Sequence, residues 1–297
     1  VSRPFAKRLV AAQQARSFGQ RLSAFKGFSP RELVPQPPSV AEPRTGLNMG
    51  QRCELMARRW GIRREAQDEL ALASHQRAAA AYDAGFFDDL VFEFNGVQRD
   101  DNLRRDTSLA RLATLKPAFP VDGSATLTAG NSTPMTDGAA AVLLASEDWA
   151  RARGLPVQAY LTFGKVAAVD FLHDEGLLMA PAYAVPRMLD DAGITLQDFD
   201  FYEIHEAFAA QVLCTLAAWE SAVFCRDRLG RERPLGSIDR AKLNVNGSSL
   251  ALGHPFAATG ARIVATLAKL IDQRGGGRGL ISICTAGGMG VTAIVER

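Results

Sequence analysis

Three short segments of this 297-residue sequence carry reactive side chains at the mouths of regular elements: EIHEAFAAQ at 203–211, NVNGSSLALGHPFAATGAR at 244–262 and CTAGGMG at 284–290. In the first, His205 and Glu206 follow a predicted strand and precede a predicted helix. That is the crevice at the carboxyl ends of strands where open α/β sheets hold ligands; the same pair also reads as a helix cap with its dipole partner. His254 lies between Gly253 and Pro255, ahead of a helix predicted to begin near Thr259. Glycine and proline hold the backbone close and rigid there, and the positive helix end favours the neutral imidazole that a general base needs. No apolar periodicity surrounds His254, so a functional reading is preferred to a packing one. Cys284 closes a predicted buried strand just before Ala286, Gly287 and Gly288, whose backbone N–H groups would form a nest for an oxyanion. The competing reading is a buried strand-end thiol beside a hairpin. A phosphate loop is excluded, because the Lys and Ser/Thr that follow its glycines are missing.

These side chains need elements to hold them. Phe201–Ile204, Leu280–Cys284, Val291–Val295 and a run near Ala159–Val169 read as strands, and Ala182–Ala192, Ala207–Ala222 and Thr259–Arg274 as helices. Strands alternating with amphipathic helices indicate an α/β layered domain. TAGGMG separates the last two strands as a tight hairpin. Upstream, Ala125–Thr128 and Ala139–Ala145 read as short strands joined by the turn-rich AGNSTPMTDG. Earlier still, Met49, Cys53, Met56 and Trp60 form one helical stripe, which makes Cys53 a core thiol. A second helix runs from Arg64 to Ala84, stops at Gly85 and carries His75 as a surface or packing residue.

The first forty residues differ from the rest. Arg3, Lys7, Arg8, Arg16, Arg21, Lys26 and Arg31 face one acid, Glu32, and Phe5, Leu9, Ala12, Phe18, Leu22 and Phe25 recur near helical spacing. One or two basic amphipathic helices are expected, broken at Pro35, Pro37, Pro38 and Pro43. Such a segment either contacts a partner or an anionic membrane surface, or is a solvated face over a core stripe.

Composition sets the frame. With 47% apolar and 22% charged residues the chain is an ordinary globular sequence, and a net charge of +2 gives no sign of a nucleic-acid protein. The longest apolar stretch without a charge, Ala207–Trp219, falls short of the ~20 residues of a membrane span. Cys53, Cys214, Cys225 and Cys284 are scattered with no C-x-x-C pair, so neither a zinc site nor a disulfide framework is expected. No secretory leader pattern follows Val1, and the cytoplasm is the expected location.

Taken in order, the three segments resemble the C-terminal motifs of thiolases: the N-E-A-F-A block, the G-H-P-x-x-x-[ST]-G-x-R block and the C-x-G-G-G-x-G block. MGQRCELMARRWGIRREAQDELALASHQRAAAAYDAGFF resembles the thiolase loop domain, and ATLTAGNSTPMTDGAAAVLLASE the return into the core. The likeness covers residues 45–297. The basic start and HEAF in place of NEAF are similar to the thiolase subunit of fatty-acid oxidation multienzyme complexes.

The resemblance implies a layered αβαβα thiolase fold with a helical loop domain at 1–122, a remnant of the N-terminal half at 123–150 and a complete C-terminal half at 151–297. It implies a 3-ketoacyl-CoA thiolase of fatty-acid β-oxidation, in which coenzyme A cleaves a 3-ketoacyl-CoA to acetyl-CoA and a shortened acyl-CoA, the reverse being a Claisen condensation. Carried over, His254 is the base that activates the nucleophile, and Cys284 the cysteine that protonates the acetyl carbanion. His205 stands where the family has the Asn of an oxyanion hole. Glu206, Ala286 and Gly287 support the loops and the second oxyanion hole. Arg104 and Thr133 match positions near the CoA phosphates and pantetheine. CoA and acyl-CoA enter as substrates; no tightly bound cofactor, metal or nucleic acid is implied, and the partners implied are further copies of the chain or a β-oxidation complex.

One departure is large. The family's nucleophilic cysteine precedes the loop domain, and none of the four cysteines matches it: Cys53 falls at a helix position that is usually Ala, Cys214 within a helix, and Cys225 in an expected irregular stretch. The expectation is a thiolase lacking roughly its first third. A silent CoA-binding or assembly protein is the alternative. A decarboxylating ketoacyl synthase is disfavoured, because that type pairs its cysteine with two histidines and has no terminal cysteine of this kind.

Overall fold

The computed structural model describes residues 2–34, 40–123, 125–173 and 175–297. Packing divides the chain into a unit from Val1 to Glu42 and another from Pro43 to Arg297. In the smaller unit, α1 (Arg3–Gln14) begins at Ser2, whose hydroxyl accepts from the Phe5 N–H, and α2 (Phe18–Ser23) begins at Ser17, which accepts from Gln20. Both are N-caps that satisfy an otherwise orphaned donor. Arg8 fastens the unit: Nε and Nη2 donate to the Glu32 carboxylate at 2.7 and 3.1 Å, and Nη1 donates to the Ala24 and Lys26 carbonyls at 3.0 and 2.8 Å. The Phe5 ring packs on Phe25 and Phe28. The anticipated core stripe is only partly realised, since Leu9, Phe18 and Leu22 of the same series are exposed. A helix pair this small has too little interior to bury them. The anticipated break at Pro35, Pro37 and Pro38 lies outside the described residues.

The larger unit opens with helices. Asn48 caps α3 (Met49–Arg59) reciprocally with Gln51, at 2.8 and 3.0 Å, and α4 (Arg64–Asp83) follows. Cys53 is fully buried, as its stripe predicted, and His75 is a buried packing residue. Then come α5 (Leu109–Ala113), α6 (Glu147–Ala152), β1 (Tyr160–Ala168), α7 (Pro181–Ala192), β2 (Phe201–Ile204), α8 (Ala209–Glu220), α9 (Ala222–Leu229), α10 (Ser249–Leu252), α11 (Thr259–Arg274), β3 (Arg278–Thr285) and β4 (Met289–Glu296).

The strands form a sheet in the order β1-β4-β3-β2, with β2 parallel to β3 and the other pairs antiparallel. The period of two decides which helix covers which face. Leu280 and Ile294 pack with Val185, Met188 and Leu189 of α7 and Val212 and Leu216 of α8. Their neighbours Ile281, Ala293 and Val295 pack with Ile263, Leu267 and Ile271 of α11. Each such Leu or Ile contributes roughly 1.5–3 kcal/mol on burial. The sheet is thus held between helical layers, and α3 and α4 close over α8. The outer edge differs: Leu161, Val166, Met289 and Val291 are exposed.

Three expectations are corrected. Ala125–Thr128 and Ala139–Ala145 are not strands: Thr128 makes only an isolated bridge to Pro117, and 139–145 carries no regular structure and finds no ladder partner among the described residues. The predicted helix 207–222 is realised as α8; Ser221 stops it by leaving helical geometry, and its hydroxyl caps α9 by accepting from Phe224 at 3.1 Å. Cys225 accordingly sits in a helix, buried, rather than in an irregular stretch. Glu54 of α3 accepts from the Thr126 and Leu127 N–H groups at 2.8 and 2.9 Å, and so ties the helical region to the chain on the far side of 122.

Candidate active site

The parallel pair β2–β3 sets the floor of the site. Ile204 lies opposite Ser282, and the His205 N–H donates to the Ser282 carbonyl at 2.9 Å, which carries the pairing one residue past the strand. His205 and Cys284 therefore emerge at the carboxyl ends of adjacent strands. Asn244 braces the free edge of β2 from a left-handed conformation (φ 45°) that Asn tolerates better than most residues. Its Oδ1 accepts from the Ile204 N–H at 2.9 Å, and its Nδ2 donates to the Ile204 carbonyl at 2.9 Å and to Glu206 at 2.7 Å.

Glu206 then locks the next loop. Its carboxylate also accepts from Ser74 Oγ at 2.7 Å and from the Leu250 N–H at 3.2 Å, and Ser74 in turn accepts from the Ser248 N–H at 3.1 Å. Burial pushes the Glu206 carboxyl up, and the hydrogen bonds from Ser74, Asn244 and Leu250 oppose that shift. The loop lies hard against α4. At Gly247 (φ +72°) an added Cβ would sit 2.5 Å from the Ser74 carbonyl oxygen and 2.6 Å from the Ala78 Cβ, so only glycine fits there.

This loop delivers His254 against His205, with ring centroids 4.3 Å apart at 47°. Met135 bridges to His254 and Ser132 to Phe208, so the 131–136 segment rims both loops. His254 Nδ1 is 2.6 Å from Thr259 Oγ1, and that hydroxyl donates to the Pro255 carbonyl at 3.2 Å. A hydroxyl that donates to Pro255 accepts from His254, and the ring proton then sits on Nδ1 and leaves Nε2 as a lone pair able to take a proton. Burial, then Arg262, lower the His254 pKa, so the ring stays neutral at neutral pH. His205 is buried and held neutral more strongly, by burial first and by His254 and Arg262 after it.

Cys284 is nearly fully buried and shares a core cluster with Cys53 and Cys214. Burial pushes its thiol up to about 12, so at neutral pH it carries a proton. A protonated thiol suits a proton donor and not a resident nucleophile. The turn beyond it holds Ala286 at ordinary negative φ, with Gly287 at +76° and open space beside that residue. Replacing a glycine by Ala286 therefore adds no backbone strain. Gly288 (φ +73°) is closed in, since a Cβ there would meet Phe171 Cδ1 at 2.6 Å.

The other residues singled out in the sequence fall around this centre. Thr133 donates from its N–H to the Ala207 carbonyl at 3.0 Å and from Oγ1 to the Ser249 carbonyl at 2.7 Å. Arg104 has an exposed side chain, and its N–H donates to His75 Nδ1 at 3.2 Å. Burial, then Arg104, lower the His75 pKa to about 4. Asn102 joins the Arg104 loop to α10 by donating to the Leu250 and Ala251 carbonyls. Sequence reasoning missed Ser74, Asn244, Ser249, Thr259 and Arg262 as site residues. Asn244 and Ser249 lie in NVNGSS, and Thr259 and Arg262 fill the [ST] and R places of the G-H-P block.

Glu203, on β2, is fully buried, and neither carboxylate oxygen has a hydrogen-bond partner among the described residues. Burial pushes its pKa up to about 8, with Arg262 pulling down and Glu206 pushing up. A carboxyl whose folded value exceeds its unfolded value of about 4.3 binds more protons folded than unfolded between the two. Its contribution to stability therefore falls as pH rises through that window and levels off above about 8. The Tm of the wild type relative to Glu203→Gln is expected to fall from pH 4.5 to 8 by this linkage. A pH-independent difference would show that Glu203 is ionised throughout.

Two neutral imidazoles, a protonated thiol and a glycine turn thus gather at the carboxyl ends of a parallel strand pair on an α/β fold. Comparison with known proteins gives the family. The family model "Thiolase, N-terminal domain" matches residues 22–148 and "Thiolase, C-terminal domain" residues 155–297. The 3-ketoacyl-CoA thiolase of Yersinia pestis (strain Pestoides F) is 47% identical over 302 residues, spanning 100% of this chain and 69% of that protein. Among solved structures, Bacillus anthracis acetyl-CoA acetyltransferase superposes with a TM-score of 0.72 at 34% identity, covering 89% of this chain and 66% of that one. Human mitochondrial 3-ketoacyl-CoA thiolase in complex with CoA gives 0.70 at 33%, covering 86% and 60%. The chain belongs to the thiolase family, a family of acyltransferases.

Proposed function

We propose that these residues are the acid/base part of a 3-ketoacyl-CoA thiolase site of fatty-acid β-oxidation. In the cleavage direction a cysteine thiolate, its proton taken by His254 Nε2, attacks the 3-keto carbon. The bond between the α and β carbons breaks, its electron pair goes to the α carbon of the leaving acetyl-CoA enolate, and the Cys284 thiol supplies the proton. Coenzyme A then takes the acyl group from the acyl-cysteine. His205 and the Ala286–Gly287 turn face the developing oxyanions, Thr133 the pantetheine and Arg104 the nucleotide phosphates. The observation that carries this reading is the close, tilted pair His205–His254 with a bare ring nitrogen on His254, beside a thiol that keeps its proton.

The attacking thiolate comes, in this reading, from a cysteine other than the four present. Burial raises Cys53 and Cys214 as it raises Cys284, and the Cys225 thiol donates to the Ala218 and Trp219 carbonyls inside α8 and α9 packing. The same observation favours the second reading, a silent CoA-binding or assembly protein. CoA affinity measured beside thiolysis separates the two. A protein carrying these residues together with a nucleophilic cysteine cleaves 3-ketoacyl-CoA under the first reading, whereas binding of CoA with no turnover supports the second. Four buried, unpaired cysteines support a reducing compartment such as the cytoplasm.

The basic unit is read as the contact to a partner in an oligomer or β-oxidation complex, or to an anionic membrane surface. Its exposed Leu9, Val10, Phe18 and Leu22 lie among Arg3, Lys7, Arg16 and Arg21. Capture by anionic vesicles or by the partner is expected to weaken as salt shortens screening to ~10 Å at 0.1 M. Salt-independent behaviour in both assays would remove this role.

A further inference from the structure

Arg262 is half-buried in α11, and its Nη2 donates to Ser249 Oγ at 3.0 Å. Ser249 Oγ is also 2.8 Å from His205 Nδ1. An arginine side chain has donors and no acceptor, so the hydroxyl accepts on that side. Its single proton must then go to an acceptor, and among the described residues the one beside Oγ is His205 Nδ1. Ser249 thus donates to Nδ1, and a neutral His205 carries its proton on Nε2. We propose that Arg262, acting through the Ser249 hydroxyl, is the positioning residue that fixes His205 as the Nε2–H tautomer.

The consequence concerns the pair of rings. His254 is committed to Nδ1–H by Thr259, so one imidazole presents a lone pair and its neighbour a donor. The opposite tautomer of His205 would set a second lone pair beside a developing oxyanion and repel it. Burial lowers the Arg262 pKa, and the nearby carboxyl groups of Glu203, Glu206 and Asp100 oppose that shift. The value of the relay to catalysis rests on the thiolase reading; the tautomer itself does not.

The test is magic-angle-spinning 15N spectroscopy of sedimented, 15N-histidine-labelled protein, which requires neither turnover nor a monomer. The His205 signals are assigned by their loss in His205→Asn. The expected wild-type pattern is a protonated Nε2 and an unprotonated, hydrogen-bonded Nδ1. Ser249→Ala and Arg262→Met should each lose the bare Nδ1 signal wholly or in part and gain a protonated one, while Arg262→Lys, which keeps a donor, should retain the wild-type pattern. A wild-type Nδ1–H signal overturns the proposal even where a variant fails to fold, as does an unchanged spectrum in Arg262→Met. Failure of the thiolase assay with the expected spectrum would overturn the function and leave the relay standing.

Discussion

Replacing His254 by Ala, or Cys284 by Ala, is expected to lower kcat by on the order of 10²-fold or more in a protein that carries these residues together with the nucleophilic cysteine. The two losses should differ in kind. Without His254 the ring nitrogen that would take the thiol proton is gone, so formation of the acyl-enzyme slows. Without Cys284 the acyl-enzyme still forms from an acyl-CoA, but the carbanion has no positioned proton source and carbon–carbon cleavage fails. Single-turnover labelling with radioactive acetyl-CoA, run beside steady-state thiolysis of acetoacetyl-CoA, distinguishes these outcomes. Full thiolysis by Cys284→Ala would remove its role. The pH profile offers a second check, because burial holds His254 below its ordinary value and Cys284 near 12. Activity limited by these groups should therefore rise as His254 loses its proton and persist well above neutrality.

The candidate groups stood out in the sequence for a physical reason. A base, a thiol and an oxyanion nest each need backbone that glycine and proline control, and such backbone leaves local signatures around His254, Cys284 and Gly287. The boundaries of α11 were legible too, since Ile263, Leu267 and Ile271 recur at helical spacing. The contacts that hold those groups were not, because they are long-range. Ser249 meets His205 across 44 residues, and Ser74 meets Glu206 across 132. No local pattern of Ser, Asn or Arg announces a partner that distant. Segment 139–145 shows the converse limit: a β-rich run becomes a strand only where another strand accepts its ladder bonds, and the described residues supply none. The helix expected over 207–222 corresponds to α8; what the sequence left unassigned was α9, which begins at the cap Ser221.

Residues 1–297 purified by themselves are expected to give no thiolysis of acetoacetyl-CoA or of longer 3-ketoacyl-CoA. Covalent catalysis divides the reaction through an acyl-cysteine, and an attacking sulfur must be a thiolate within reach of its base. Cys284 keeps its proton at neutral pH, Cys53 and Cys214 are pushed up by burial in the same core, and Cys225 is closed into helix packing. None is the thiolate that His254 would activate, so the two acid/base groups have no acyl group on which to act. The sheet edge gives a second reason. Leu161, Val166, Met289 and Val291 present apolar side chains to water on β1 and β4, the kind of surface that drives association. Light scattering is therefore expected to find aggregates, or dependence on a partner, in place of a stable monomer. The decisive measurement remains turnover: release of acetyl-CoA by this chain above a His254→Ala control would overturn the argument and assign the nucleophile to Cys53, Cys214, Cys225 or Cys284.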